Sequence, residues 1–87
     1  MSQVDKNTLL KNLGNNIRKH RLEQGISQEE LAFKIDSARN FIGCIERAEK
    51  SPTIVTLAKI SCALAISLSD LVKNIDKTWN LFCFEIL

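Results

Sequence analysis

At 87 residues, with 45% apolar and 25% charged side chains, one proline and three glycines, the chain has the size and composition of one folded domain with a modest core, not of a disordered or fibrous protein. No apolar run approaches the roughly 18 residues that span a bilayer, and the opening MSQVDKNTLLKN lacks the positive start and long apolar stretch of a secretion signal, so a cytoplasmic location and no membrane contact are expected. The net charge of +2 is too small to announce nucleic acid by itself, and three cysteines (Cys44, Cys62 and Cys83) with one histidine and no CxxC pair do not make a zinc site, so free thiols, no metal and no cofactor are expected.

Residues 1–7 are polar and read as a frayed terminus. A first helix is expected from Thr8 to about Gln24, with either Leu10, Leu13, Ile17 and Arg21 or Leu9, Leu13, Ile17 and His20 as its inner stripe, and Gly25 as its stop. Ser27, with Glu30 three residues on, forms a capping box and opens a second helix whose Leu31, Ala32 and Ile35 share one face. Asp36 and Ser37 favour turns and caps over helix interiors, so the pattern breaks there. The helical period resumes from Ala38, with Ile42, Ile45 and Ala48 inside and Arg39, Asn40, Gly43, Cys44 and Arg47 outside. Two helices this short cannot bury an apolar face alone and need a bundle around them.

The rest of the chain supplies it. Glu49-Lys50-Ser51-Pro52-Thr53 reads as a loop, after which Thr53 or Ser51 caps a fourth helix to about Leu64, with Leu57, Ile60, Ala63 and Leu64 inside. Ala65-Ile66-Ser67 turns the chain, and Ser69 is expected to cap a short fifth helix through Leu71, Val72 and Ile75, with Asp70 near its positive end. The expected fold is therefore all-α, a five-helix bundle over residues 8–75. In the tail, residues 76–87, Trp79, Leu81, Phe82, Phe84 and Ile86 are apolar enough to need cover, either from a second subunit or from the bundle itself. Periodicity leaves helix and extended arm both open there, with the extended arm favoured.

The run Gln28-x-Glu30-Leu31-Ala32-x-Lys34, a turn, and then Arg39-Asn40-Phe41-Ile42-x-x-Ile45-Glu46-Arg47 resembles the helix-turn-helix of the phage repressor and Cro family, also called the XRE family. Within that family it is most similar to the controller proteins of restriction-modification systems, whose recognition helices carry Arg-x-Tyr/Phe-Ile-x-x-Ile-Glu-Arg. The likeness covers roughly residues 13–72. One departure is Asp36, where many members have Gly in the turn; Asp tolerates a left-handed backbone better than most residues. The resemblance implies a lambda-repressor-like fold, an ion pair from Arg21 on the first helix to an inward-turned Glu46, and a C-terminal element that joins subunits. Such a buried pair fixes geometry more than it adds stability.

What the resemblance implies for function is sequence-specific binding of double-stranded DNA. An α-helix fits the major groove, where each base pair shows a distinct donor and acceptor pattern. Residues at the start of the second helix of the motif meet base edges in this docking: here Ser37, Ala38, Arg39 and Asn40, with Cys44 one turn on. Arg39 can fork onto guanine O6 and N7, Asn40 can read adenine or reach a phosphate, and Cys44 offers a small apolar surface to a thymine methyl. Gln28 at the start of the preceding helix, and Arg47, Lys50, Ser51 and Thr53 beyond the recognition helix, are the phosphate candidates. The segment from Ser27 to Lys50 nevertheless carries more carboxylates than cations, so the two signs must be sorted onto different faces. Arg18, Lys19 and Arg21 are expected to add positive charge from the first helix. One helix reads only a few base pairs, and useful specificity calls for a homodimer on a pseudo-palindromic operator. The competing reading is a protein-interaction module, such as an antitoxin or accessory subunit. An enzyme is disfavoured, because no Gly-rich phosphate loop or Ser/His/Asp constellation is present, and no small-molecule ligand is expected.

Overall fold

The computed structural model describes residues 5–76. Among them the chain forms five helices and no strand: α1 (Lys6–Glu23), α2 (Gln28–Lys34), α3 (Phe41–Glu46), α4 (Ile54–Ala63) and α5 (Leu68–Leu71). The all-α, five-helix architecture read from the sequence is the one observed. The apolar tail residues Trp79, Leu81, Phe82, Phe84 and Ile86 lie outside the described residues.

The starts of α1, α2, α4 and α5 are each fixed by a capping side chain. The Asn7 N–H donates to Asp5 Oδ1 at 3.1 Å and the Thr8 hydroxyl to Asp5 Oδ2 at 2.8 Å, so α1 begins at Lys6 and not at Thr8. Residues 5–7 thus belong to a capped helix start and not to a frayed end. Ser27 and Glu30 form the expected capping box, with Glu30 N–H to Ser27 Oγ at 3.0 Å and Ser27 N–H to Glu30 Oε1 at 2.9 Å. Thr53, not Ser51, caps α4. Ser67, not Ser69, caps α5, accepting the Asp70 N–H at 3.0 Å. That helix stops at Leu71 instead of running on to Ile75.

Four of the ends share one device. After α1, α2, α3 and α4 the chain turns through a left-handed residue (Gly25, Asp36, Ala48 and Ala65 respectively). In each case the amide of that residue and the one after it fold back onto carbonyls of the last turn, as in Ser37 N–H to Ala32 O at 2.9 Å and Glu49 N–H to Cys44 O at 2.8 Å. Only the first turn has the glycine that takes this conformation without cost; an L side chain there loses roughly 1–2 kcal/mol. Asp36 sits at φ 57°, so the left-handed turn inferred from the family departure is formed.

The core is built from Leu13 and Ile17 of α1, Leu31 and Ala32 of α2, Ile42 and Ile45 of α3, Leu57 and Ile60 of α4 and Leu71 of α5, with Ile35 and Leu64 at two helix ends. On α1 it is the stripe Leu10, Leu13, Ile17, Arg21 that is buried, not the one ending at His20. Three amide side chains, Asn12 and Asn16 of α1 and Gln24 at its C-cap, bind the far end of the bundle. Asn12 Nδ2 donates to Ile75 O at 2.8 Å, Asn16 Nδ2 to Leu71 O and Lys73 O, both at 2.9 Å, and Gln24 Nε2 to Leu64 O. These bonds satisfy carbonyls at the ends of α4 and α5 and in the turn that follows α5.

Gly14 sets how closely α1 approaches α3. A Cβ there would stand 2.6 Å from the Glu46 carbonyl oxygen and 2.8 Å from that of Ile45. Both are backbone atoms that cannot swing aside. Gly14→Ala, which on an open helix would stabilise by about 1 kcal/mol, is expected here to destabilise by about 1–3 kcal/mol as overpacking. Thermal unfolding followed by circular dichroism should show a fall of about 4–8 °C per kcal/mol; a variant as stable as the parent would contradict the close approach. Ala65→Gly, at an exposed left-handed position, should raise the melting temperature in the same experiment.

Candidate nucleic-acid interface

The second and third helices pack against each other and α3 also packs on α1, so the position of α3 is set from two sides. Its anchor is a polar cluster at its C-terminal end. Arg21 Nε donates to Glu46 Oε2 at 2.7 Å and Nη2 to Oε1 at 3.1 Å, a bidentate fork, while Nη1 donates to the Ile26 carbonyl at 2.9 Å. Gln28 Nε2 donates to Glu46 Oε1 at 2.9 Å. The Arg21 and Glu46 side chains are only 9% and 4% exposed, so the pair inferred from the family resemblance is formed, and one carboxylate draws α1, α2 and α3 together. Arg21 is spent inside and adds no surface charge, contrary to expectation; Arg18 and Lys19 remain exposed.

The outward face differs in detail from its expected form. Ser37 and Ala38 lie in the connection, Arg39 and Asn40 form a turn, and the helix proper starts at Phe41, with the Phe41 N–H bonded to Ala38 O at 3.0 Å. The residues meant to open the recognition helix therefore form the approach to it. Ala38, Arg39 and Asn40 are exposed and Ser37 is half-buried. Asn40 occupies the N-cap position but its side chain makes no cap bond, so its amide is not committed to α3. Gly43, expected outside, is buried, because the side chains of Gln28 and Arg47 close over it; a Cβ there would meet Gln28 Oε1 at 3.1 Å and Arg47 Nη1 at 3.0 Å. Cys44 is half-buried and free.

Both arginines on this face are paired. Arg39, 84% exposed, donates through Nε to Glu29 on the first turn of α2. Arg47 donates to both oxygens of Glu49, Nε to Oε2 at 2.8 Å and Nη2 to Oε1 at 3.3 Å, and its Nη2 also lies 3.8 Å from Cys44 Sγ. Lys50 places its ammonium 5.8 Å from the centre of the Phe41 ring, near the start of α3. Ser51 is exposed, and the Thr53 hydroxyl caps α4. Sequence reasoning found the two arginines but neither carboxylate partner. It also missed Gln28 as a bridge: that side chain, read as a phosphate ligand, is engaged with Glu46. An exposed Glu two residues after the N-cap reads as a favourable charge on the helix dipole, which hides its reach to a residue ten positions on. Nothing among the described residues groups three or more metal-ligating side chains, and no described helix is long and apolar enough to cross a membrane.

A helix-turn-helix family model matches residues 17–71, well over half of the chain and the whole span from mid-α1 to the end of α5, and the chain belongs to that family. It is 40% identical over 65 residues to the control protein C.MunI of a Mycoplasma species, covering 74% of this chain and 88% of that one. The crystal structure of the restriction-modification controller C.AhdI from Aeromonas hydrophila superposes with a TM-score of 0.69 at 34% identity, covering 71% of this chain and 94% of the other. The controller C.Esp1396I, solved as a tetramer with its natural 35-base-pair operator, superposes with a TM-score of 0.70 at 35% identity, covering 83% and 95%. The likeness to controller proteins read from one helix thus extends over the bundle.

Two outcomes test this geometry. Removing one partner of the clamp, as in Glu46→Ala, leaves Arg21 charged and unpaired in the interior and should cost about 3–5 kcal/mol of stability by denaturant unfolding, whereas Arg21→Met with Glu46→Leu should cost far less than the two single changes together. Additive costs would mean that the pair is not coupled. The second concerns Arg47, whose hydrogen bond and charge hold the Glu49 carboxyl below its ordinary value. Glu49 then stays ionised, and the pair intact, above the ordinary carboxylate range and is lost only as the pH falls through that lowered value. Titration of the Glu49 carboxyl by NMR should move up towards the ordinary range in Arg47→Ala; identical titrations in the two proteins would show that the pair does not form in solution.

Proposed function

We propose that the protein is a sequence-specific transcriptional regulator that binds a pseudo-palindromic operator as a homodimer, in the manner of a restriction-modification controller. The observation that carries this reading is the turn at Arg39 and Asn40: two exposed side chains with groove-reading donor groups, mounted at the start of a helix whose far end is clamped to the core through Glu46. Arg39 forks onto a guanine and Asn40 meets an adjacent base or phosphate, with Ser37, Ala38 and Cys44 along the same edge. Arg47, Lys50, Ser51, Thr53 and the start of α2 at Gln28 meet the backbone. That a related controller is solved on its own operator supports the partner, and the kinship with controllers supports the role. Paired half-sites about 34 Å apart are the geometric expectation for a dimer. The reading places the protein in the cytoplasm and assigns it binding without catalysis. The relatives are regulators and controllers, which does not favour an antitoxin or accessory-subunit role.

Selection from a random duplex library, repeated at two salt concentrations, is the direct experiment. An inverted repeat that is enriched, and whose binding weakens with added salt, is the expected result; retention of DNA with no enriched sequence would contradict it. Against the selected site, Arg39→Ala should lose about 1–3 kcal/mol per half-site and relax preference at one base pair, with the fold unchanged. Arg47→Ala should instead weaken all duplexes alike and reduce the salt slope by about one.

A further inference from the structure

We infer that Glu29 is the residue that aims Arg39, and that it sets how sharply the protein distinguishes its guanine from other bases; this rests on the reading of Arg39 as a base reader. A guanidinium offers donors on two edges, one through Nε and one Nη and the other through the two Nη groups. Glu29 takes the Nε of Arg39. Neither Nη group has a hydrogen-bond partner among the described residues, and Arg39 is 84% exposed. The edge left free is therefore the end of the side chain, two parallel N–H donors that match the O6 and N7 acceptors of guanine. Without its carboxylate partner an exposed arginine has several rotamers, including ones that can turn its charge towards a phosphate. With it, those rotamers are disfavoured, and less conformational freedom is lost when the base is met.

Charge adds a second effect in the same direction. Glu29 is itself 57% exposed on the face that meets DNA, so any docking that slides Arg39 onto the backbone brings a carboxylate towards phosphate. Docking that seats Arg39 in the groove keeps the carboxylate behind the arginine. The carboxylate thus penalises non-specific complexes more than the specific one.

The test is equilibrium binding of the parent, Glu29→Gln, Arg39→Ala and the double variant to the selected duplex and to a random-sequence duplex of equal length, with circular dichroism to verify folding. Glu29→Gln is expected to bind the random duplex more tightly and to lower the specific-to-random ratio at least about fivefold, the lower end of what one guanine-reading side chain supplies. In the Arg39→Ala background the same change should leave the ratio where it is, because there is nothing left to aim. A loss of stability would shift both affinities together and leave the ratio unmoved. If Arg39→Ala collapses the ratio while Glu29→Gln does not change it, Glu29 is not a positioning residue and the inference fails while the base-reading assignment stands. If Arg39→Ala leaves the ratio unchanged, the base-reading assignment fails and the inference falls with it.

Discussion

The Glu46 carboxylate is the point at which the motif is joined to its support. A recognition helix of six residues has too few internal hydrogen bonds to hold a direction by itself. Here its last residue is gripped by Arg21 from α1 and Gln28 from α2. Gly14 lets α1 come close enough for that grip, because any side chain at that position would strike the α3 backbone. Buried ion pairs contribute little net stability when the desolvation of both charges is included. What this one supplies is direction: α3 cannot rotate or slide along α1 without stranding a charge.

The same cluster resolves the charge balance of the motif. A segment with more carboxylates than cations is a poor match to a polyanion if all of them face it. Glu46 faces inward, and Glu29 and Glu49 each lie against an arginine. The outer face is therefore a set of cations accompanied by carboxylates and not a plain basic patch. On the proposed reading of this face, non-specific attraction to phosphate is muted, and affinity depends more on whether the arginines find the groups their geometry fits. Lys50, near the ring of Phe41, is the cation on this edge with no carboxylate partner among the described residues.

Local chemistry was legible in the sequence and distant chemistry was not. The capping box at Ser27 and Glu30 and the inner stripes of α2 and α4 follow from spacing alone, and they are where that spacing puts them, whereas the left-handed turn at Asp36 was reached through the family resemblance. The Arg21 to Glu46 pair was reached through the family resemblance, since an arginine ending an apolar stripe does not name its partner. Gly14 reads as an ordinary weak spot in a helix until the carbonyls of Ile45 and Glu46 are placed above it. Asn12, Asn16 and Gln24 look like solvated flank positions, yet they bind carbonyls 40 to 63 residues away. Ser67 and Ser69 are both plausible caps, and the choice follows from Ser67 lying three residues before Asp70. The start of α3 was placed too early because Ala38, Arg39 and Asn40 carry no breaker, although the chain leaving a left-handed Asp36 needs them as a connection.

The central claim is that DNA meets the edge formed by the start of α3, with α1 and the clamp behind it. An NMR titration of the isotope-labelled protein with a duplex selected for binding measures this most directly. Large amide shifts are predicted for residues 37–44, at Gln28 and through residues 47–53, with Ile17, Ile60 and the rest of the core unmoved. Shifts confined elsewhere, for example to the exposed Ile54 and Val55 of α4, or spread evenly through the bundle, would contradict the account.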